Sequence, residues 1–357
     1  MSKQYNILIF GASYGSLLGA KLVLAGHNVK LLCLPEEADL INKEGSIVRL
    51  PVRGRDEPVE LNSKNAPGNL SAGGTDEMNP SDYDLIGLAM QEPQYRSPGV
   101  KELLDKVAKS GVPCMSIMNM PPPPYLRRIP GLDVDKLSHC YTDASVWDSF
   151  NPDLVTLASP DAQAFRPPTE PINVLQVGLP TNFKVARFES DEHTQILHDL
   201  EAGIQAIRYD VDGEKLELPV KLRVHDGIFV PLAKWNMLLT GNYRCIQEGD
   251  EARAIKAAVH DDIEASKSVY AYVVELCKSL GADEKDLVPF DKYAKAALSL
   301  VNPSSAARAI YAGAPNIERV DILVQSIGKM KGMQNDSVDA TVALVNKKLE
   351  TNRAAAK

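Results

Sequence analysis

The opening of this chain constrains its fold more than any other stretch. Asn6-Ile-Leu-Ile-Phe10 is a short, continuous apolar run, the pattern of a strand covered on both faces. Gly11-Ala-Ser-Tyr-Gly15-Ser-Leu-Leu-Gly19 follows at once. Ala20-Lys-Leu-Val-Leu-Ala25 then continues with helical apolar spacing and stops at Gly26, a helix-ending residue. His27-Asn-Val-Lys-Leu-Leu-Cys33-Leu34 reads as a second strand. Strand, tight turn, helix and strand within about 30 residues is a mononucleotide-binding unit, in which glycines let the backbone approach a pyrophosphate at the helix N-terminus.

The glycine pattern departs from G-x-G-x-x-G. Counted from Gly11, Ser13 and Ser16 stand where the second and third glycines belong; counted back from Gly15-Ser-Leu-Leu-Gly19, the loop is one residue short. Gly11, Ser13, Tyr14, Gly15 and Ser16 are the candidate cofactor contacts of this turn. Ser13 can donate to a phosphate, although its Cβ crowds the closest approach. The alternative is a tight strand-to-helix turn that binds nothing. The second strand ends in Leu34-Pro35-Glu36-Glu37. An acidic residue here accepts hydrogen bonds from a ribose, whereas an arginine accommodates a 2′-phosphate. Glu36 is therefore a candidate contact and the local chemistry leans to NAD. Equally, both glutamates can open the next helix, where acidic residues suit the dipole. Gly11-Ala-Ser-Tyr-Gly15 also has the spacing of a hydrolase nucleophile elbow, but at the first strand of the sheet, which disfavours a hydrolase.

Asp82 to Met90 is another apolar strand, followed by Gln91-Glu-Pro-Gln94. Val100 to Ser110 has helical spacing, and Pro113 to Met118 is a strand ending at Asn119. Ligands of open α/β sheets bind at the carboxyl ends of strands, so Gln91, Gln94 and Asn119 are candidates by position. Asn119-Met-Pro-Pro-Pro-Pro124-Tyr125 reads as a stiff extended connector. Residues 139–190 hold short strands such as Val174 to Gly178, and a polar loop from Ser159 through Arg166. A helix is expected over His193 to Ile207, and an extension or hairpin over Tyr209 to Pro219 with Asp212-Gly213 at its turn. Beyond about residue 224 amphipathic helices are expected at 226–246, 252–281, 289–299 and 317–331, with a fraying tail after Glu350. The expected fold is α/β: an N-terminal Rossmann-type doubly wound sheet over 1–222, with an insertion at about 120–170, and a C-terminal all-helical domain over 223–357. A chain of 357 residues suits two domains.

Composition removes several classes. Lys plus Arg total 39 against 47 Asp plus Glu, a net charge of −8 with no long basic run, which argues against nucleic acid as a partner. No run approaches the roughly 18 apolar residues of a membrane span, and Met-Ser-Lys-Gln-Tyr lacks the features of a signal peptide. The 5 cysteines are widely spaced with no C-x-x-C, so reduced thiols are expected rather than disulfides or a zinc cluster. The 6 histidines show no metal-ligand spacing, and no metal is expected. His225, just before the first helical segment of the second half, is either an acid–base group or a histidine at the domain junction. A soluble, cytoplasmic protein acting on a small molecule is expected.

At this point the sequence resembles the ketopantoate reductases (2-dehydropantoate 2-reductases), weakly but over most of its length. Gly15-Ser-Leu-Leu-Gly-Ala20 with Ala25-Gly-His-Asn-Val29 resembles the opening unit of that family. Asp84-Leu-Ile-Gly-Leu-Ala-Met-Gln91 resembles the segment that normally carries a cofactor-contacting lysine, here Gln91, and Asn119 falls at the asparagine near nicotinamide and substrate. Ala233-Lys234-Trp-Asn-Met-Leu-Leu-Thr-Gly-Asn242 resembles the helix of the catalytic lysine and two asparagines. Lys234 matches the lysine and Asn242 the second asparagine; Leu238 replaces the first, with Asn236 nearby. Pro303-Ser304-Ser305 and Glu318-Arg-Val-Asp321 resemble the segments that bind substrate and assist catalysis. The NADP-selecting arginine is missing, with Leu34 near its place.

The resemblance implies an NADP- or NAD-dependent reductase that transfers hydride to a carbonyl or imine carbon of a small substrate, in a homodimer. Lys234 is the expected general acid, since an ammonium both stabilises developing negative charge and delivers a proton. Glu318 is expected to orient Lys234 or hold it protonated. Asn242, Ser304, Ser305 and Asn236 are expected substrate contacts, Ser304 and Ser305 alternatively capping a helix that begins near Ala306. Two other classes stay open: a non-redox isomerase or lyase using Lys234 as acid–base on the same scaffold, and a nucleotide-binding protein without turnover.

Overall fold

The computed structural model describes residues 3–356. The chain divides into two compact units, the first running to Met90 and resuming over Gln94–Met118 and Val146–Asp226. The second takes Gln91–Pro93, Asn119–Ser145 and the chain from Gly227 on. The boundary lies four residues past the expected 222/223, and the first part of the expected insertion belongs to the second unit.

In chain order the elements are β1 (Asn6–Phe10), α1 (Tyr14–Leu24), β2 (Asn28–Leu32), α2 (Pro35–Glu44), β3 (Ile47–Leu50), β4 (Val59–Asn62), β5 (Leu70–Gly73), β6 (Leu85–Leu88), α3 (Val100–Ser110) and β7 (Cys114–Ile117). Then come α4 (Pro123–Leu126), β8 (Val155–Pro160), β9 (Gln163–Phe165), β10 (Val174–Leu179), β11 (Phe183–Ala186), α5 (Asp191–Ala206), β12 (Tyr209–Val211), β13 (Glu214–Leu216) and β14 (Leu222–His225). Among the described residues, the main sheet has 8 strands in the order β14-β11-β8-β7-β6-β1-β2-β5. All its pairs are parallel except β8 with β11. After β1 the chain winds outward through β2 to β5 and returns to β6 on the other side of β1. The strand order therefore reverses between β1 and β6, where doubly wound sheets hold their ligands.

The apolar run of β1 is buried throughout, Ile7 to Phe10 being at most 1% exposed. Helix α1 lies close against the sheet because Gly15 and Gly19 face it. A Cβ on Gly15 would stand 3.0 Å from Ile9 Cγ2, and one on Gly19 would stand 3.3 Å from Leu70 Cδ1. A second sheet, β4-β3-β10-β9, is built partly from the expected polar loop: Gln163–Phe165 pairs antiparallel with β10. Strands β12 and β13 form the hairpin signalled by Asp212-Gly213, whose φ angles of 56° and 86° suit a right-twisted two-residue turn.

The second unit adds α6 (Lys234–Met237), α7 (Ile255–His260), α8 (Ile263–Ser279), α9 (Phe290–Ala297), α10 (Ser305–Tyr311), α11 (Val320–Met330) and α12 (Asp336–Ala355). The proline run does not stay extended. Its end folds into α4, since a proline fixed near the helical φ fits the first helical position. The expected helix over 252–281 is divided by Asp261 and Asp262, and the Asp262 side chain caps α8 at Ala265 N, 2.9 Å away. The tail is not frayed. α12 runs to Ala355 because Asn352 Nδ2 donates to the carbonyls of Ile310 and Ala314 at 2.8 and 3.0 Å, satisfying the C-terminal end of α10. No helix among the described residues is long and apolar enough to cross a membrane.

Candidate active site

The expected helix over 226–246 is broken at the point that matters most. After α6, residues Leu238–Asn242 form a π-helical turn, followed by a tight turn at Tyr243–Cys245. Two features stabilise the wide turn. The Tyr293 hydroxyl donates to the Met237 carbonyl at 3.1 Å, satisfying an acceptor there. Gly241 makes room for it: a Cβ there would lie 2.1 Å from that hydroxyl oxygen. In a regular α-helix eight residues overshoot two turns by about 80°, so Lys234 and Asn242 would not align. The turn here is closed i→i+5 instead, and such turns recur at functional sites.

This turn forms one wall of a pocket within the second unit. Its lining is Gln91, Asn119, Leu238, Asn242, Tyr243, Ser305, Ala306, Ala309, Ile317 and Glu318. Tyr243 ties two walls together. Its buried hydroxyl donates to the Glu318 carbonyl at 2.6 Å and accepts from Val320 N at 2.9 Å. Ser304 ties a third: it caps α10 by accepting from Ala307 N and donates to the Asn242 carbonyl at 2.7 Å. Arg319 grips the fully buried Asp321 with two bonds of 2.9 Å, fixing the segment that presents Glu318.

Glu318 is the chemical centre of the pocket. One carboxylate oxygen accepts from Glu92 N and the other from Asn119 Nδ2, each at 3.4 Å. Burial pushes its carboxyl up to about 7. The negative charge of Glu92 adds to the rise, while the two donated hydrogen bonds and the charge of Lys234 oppose it. Glu92 is itself buried and takes both the N–H and the hydroxyl of Thr142, each at 2.8 Å. Asn119 Oδ1 is buried with no hydrogen-bond partner, an acceptor suited to a ligand donor.

Of the residues singled out in the sequence, the pocket thus gathers Gln91, Asn119, Asn242, Ser305 and Glu318. Lys234, half-buried at the start of α6, stands within electrostatic reach of Glu318. Asn236 is 1% exposed and Ser304 3%, and neither lines the pocket; Ser304 serves the helix cap. His225 ends β14 in the first unit, and Gln94 is an exposed residue of that unit. Sequence reasoning passed over Tyr243, Glu92 and Thr142. Tyr243 adjoins Asn242 and Glu92 adjoins Gln91, which was the one signal available.

In the first unit, Gly11 has φ +92°, and a Cβ there would meet Met90 Cγ at 2.8 Å and the Ala89 carbonyl at 3.1 Å. Only glycine lets the turn after β1 lie this close to the end of β6. Ser13 is exposed at the N-cap of α1, where no side-chain bond caps the helix and no acidic residue occupies its first turn. The first turn of α1 is therefore open to an anion, as a pyrophosphate site requires. Gly15 and Ser16 are buried, and a Cβ on Gly15 would meet the Ile9 side chain of the sheet. Tyr14 donates to the Ala162 carbonyl at 3.0 Å. Glu36 and Glu37 lie in the first turn of α2, Glu36 exposed and Glu37 buried.

No protein-family profile and no curated protein sequence matches the chain. Solved structures do. A 2-dehydropantoate 2-reductase from Methylococcus capsulatus superposes with a TM-score of 0.65 at 14% identity, covering 97% of each chain. D-mandelate dehydrogenase, solved with NADH and anilino(oxo)acetate, gives 0.63 at 15%, covering 98% of this chain and 99% of its own. A dimeric ketopantoate reductase from Staphylococcus aureus gives 0.60 at 8%, covering 97% and 99%. The chain has the ketopantoate-reductase fold. The likeness covers nearly the whole chain.

Proposed function

We propose that the protein is an NADP- or NAD-dependent reductase acting on a carbonyl or imine of a small substrate, with 2-oxo acids as the first class to test. The observation that carries this is the convergence of Asn119, Asn242, Ser305 and Glu318 on one pocket, with the Lys234 charge bearing on Glu318. The first unit holds the cofactor at the Gly11–Ser13 turn and the N-terminus of α1, whose geometry fits a dinucleotide phosphate. When bound, the cofactor supplies the hydride. Lys234 stabilises the charge that develops on the substrate oxygen or nitrogen and returns the proton from Nζ. Ionised Glu318 keeps Lys234 an ammonium and orients it. Asn242 and Ser305 bind the substrate's polar end, and Asn119 Oδ1 accepts from a substrate or cofactor donor.

The test is oxidation of NADPH or NADH, followed by absorbance, against a panel of 2-oxo acids, ketones and cyclic imines. Substrate-dependent oxidation is expected, and its absence with every member would overturn the reading. Glu318 adds a pH signature. Activity is expected to rise as pH climbs through about 7, where its carboxyl ionises. Glu318→Gln should abolish that limb, and a limb that survives the substitution belongs to another group. Pairing as a homodimer is expected by analogy with the dimeric Staphylococcus aureus protein. A monomer mass in sedimentation equilibrium at working concentration would contradict it.

A further inference from the structure

Arg166 comes from the segment that the sequence resemblance does not cover, yet its guanidinium lies at the glycine turn. Nη2 donates to the Ala12 carbonyl at 3.1 Å and to the Glu37 carboxylate, a side chain only 7% exposed. Both Glu37 and Arg166 act electrostatically on the Cys33 thiol at the end of β2. The guanidinium therefore sits between the turn after β1 and the turn after β2, where a dinucleotide places its adenosine ribose. Of the ion pair, Glu37 is the covered partner and Arg166 the open one, 29% exposed. The site thus presents a cation to the ribose, its carboxylate already engaged. Beside these residues in the chain, Leu34 and Phe165 are large apolar side chains left 72% and 50% exposed.

We propose that Arg166, held by Glu37, binds the 2′-phosphate of the cofactor and makes the protein prefer NADPH to NADH. The proposal rests on the reductase reading above and deepens it. It reverses the lean to NAD drawn from Glu36 and Glu37, because Arg166 neutralises the buried one. A guanidinium offers donors in a planar fork that matches phosphate oxygens, with nitrogens to spare beyond Nη2.

Calorimetric titration with NADPH and with NADH separates the outcomes. The unmodified protein should bind NADPH more tightly. Arg166→Ala should weaken NADPH by about tenfold to a hundredfold, the scale of a charge-assisted contact, while leaving NADH within about threefold. Because that variant strands the buried Glu37, the double variant Arg166→Ala/Glu37→Gln is measured beside it, and it should show the same selective loss. Glu37→Gln alone should keep the NADPH preference. Equal affinities for the two dinucleotides, or equal losses of both on removing Arg166, would overturn this proposal and leave the reductase reading standing. Binding of neither dinucleotide by the unmodified protein would overturn both.

Discussion

Lys234→Ala is expected to lower kcat by about 10²–10⁴-fold, the range for loss of a positioned general acid. Binding of NADPH or NADH should change by less than about twofold, because the proposed cofactor contacts lie in other segments of the chain. Lys234 is one of the influences that hold the Glu318 carboxyl down against burial. Removing it should therefore move the pH limb of any residual activity above about 7. That displacement distinguishes loss of a charge beside Glu318 from simple loss of packing at the start of α6. Lys234→Arg keeps a charge but gives up its proton far less readily. It should leave the pH limb in place while remaining strongly impaired in kcat. A Lys234→Ala enzyme with kcat within about twofold of the parent would show that the proton comes from elsewhere.

The second large effect concerns stability. Lys21 lies on α1, 1% exposed, and its Nζ donates to the Pro219 carbonyl at 2.9 Å. Burial, with a smaller contribution from the charge of Lys221, lowers its ammonium from 10.5 to about 7. Between pH 7 and 10.5 the unfolded chain holds a proton that the folded chain has released, so stability rises with pH over that window. Below pH 7 the folded protein must bury the charge. At about 1.4 kcal/mol per pKa unit this is a cost on the order of 5 kcal/mol. Lys21→Met removes that cost but leaves the Pro219 carbonyl without its donor, worth about 1–3 kcal/mol. A net stabilisation of about 2–4 kcal/mol at pH 6 is expected, vanishing or reversing at pH 10. Denaturant unfolding at the two pH values checks it. An equal change at both would mean that Lys21 titrates alike in the folded and unfolded chain.

The fold class was legible because its signals are local. The apolar run of β1, the glycine turn and the length of α1 name a parallel sheet, and Asp212-Gly213 names a hairpin by the backbone angles that those residues tolerate. The irregularities were not legible, because partners distant in sequence decide them. Residues 238–242 carry the apolar spacing of an ordinary helix, and the extra residue in the turn is set by Tyr293 meeting Gly241. Four prolines suggest an extended strap, but Pro123 begins a helical turn whose Tyr125 is buried in the second unit. In the site, Glu318 and Asn119 were found through their neighbours in the chain. Glu92 meets Glu318 across 226 residues, and nothing local marks that contact. Arg166 was passed over for the same reason: its partners Ala12 and Glu37 are 154 and 129 residues away.

The most direct test of hydride transfer follows the hydrogen itself. The protein is supplied with NADPH or NADH deuterated at C4 of the nicotinamide, together with a 2-oxo acid that it turns over. Both C4 hydrogens are replaced by deuterium, so that transfer from either face is seen, and the product is then analysed by mass spectrometry and proton NMR. One deuterium on the former carbonyl carbon is the expected result, with the proton on its oxygen drawn from solvent. Turnover that places no cofactor deuterium on that carbon, or that proceeds without added or co-purified nicotinamide, would contradict the reductase account and favour acid–base chemistry by Lys234 alone.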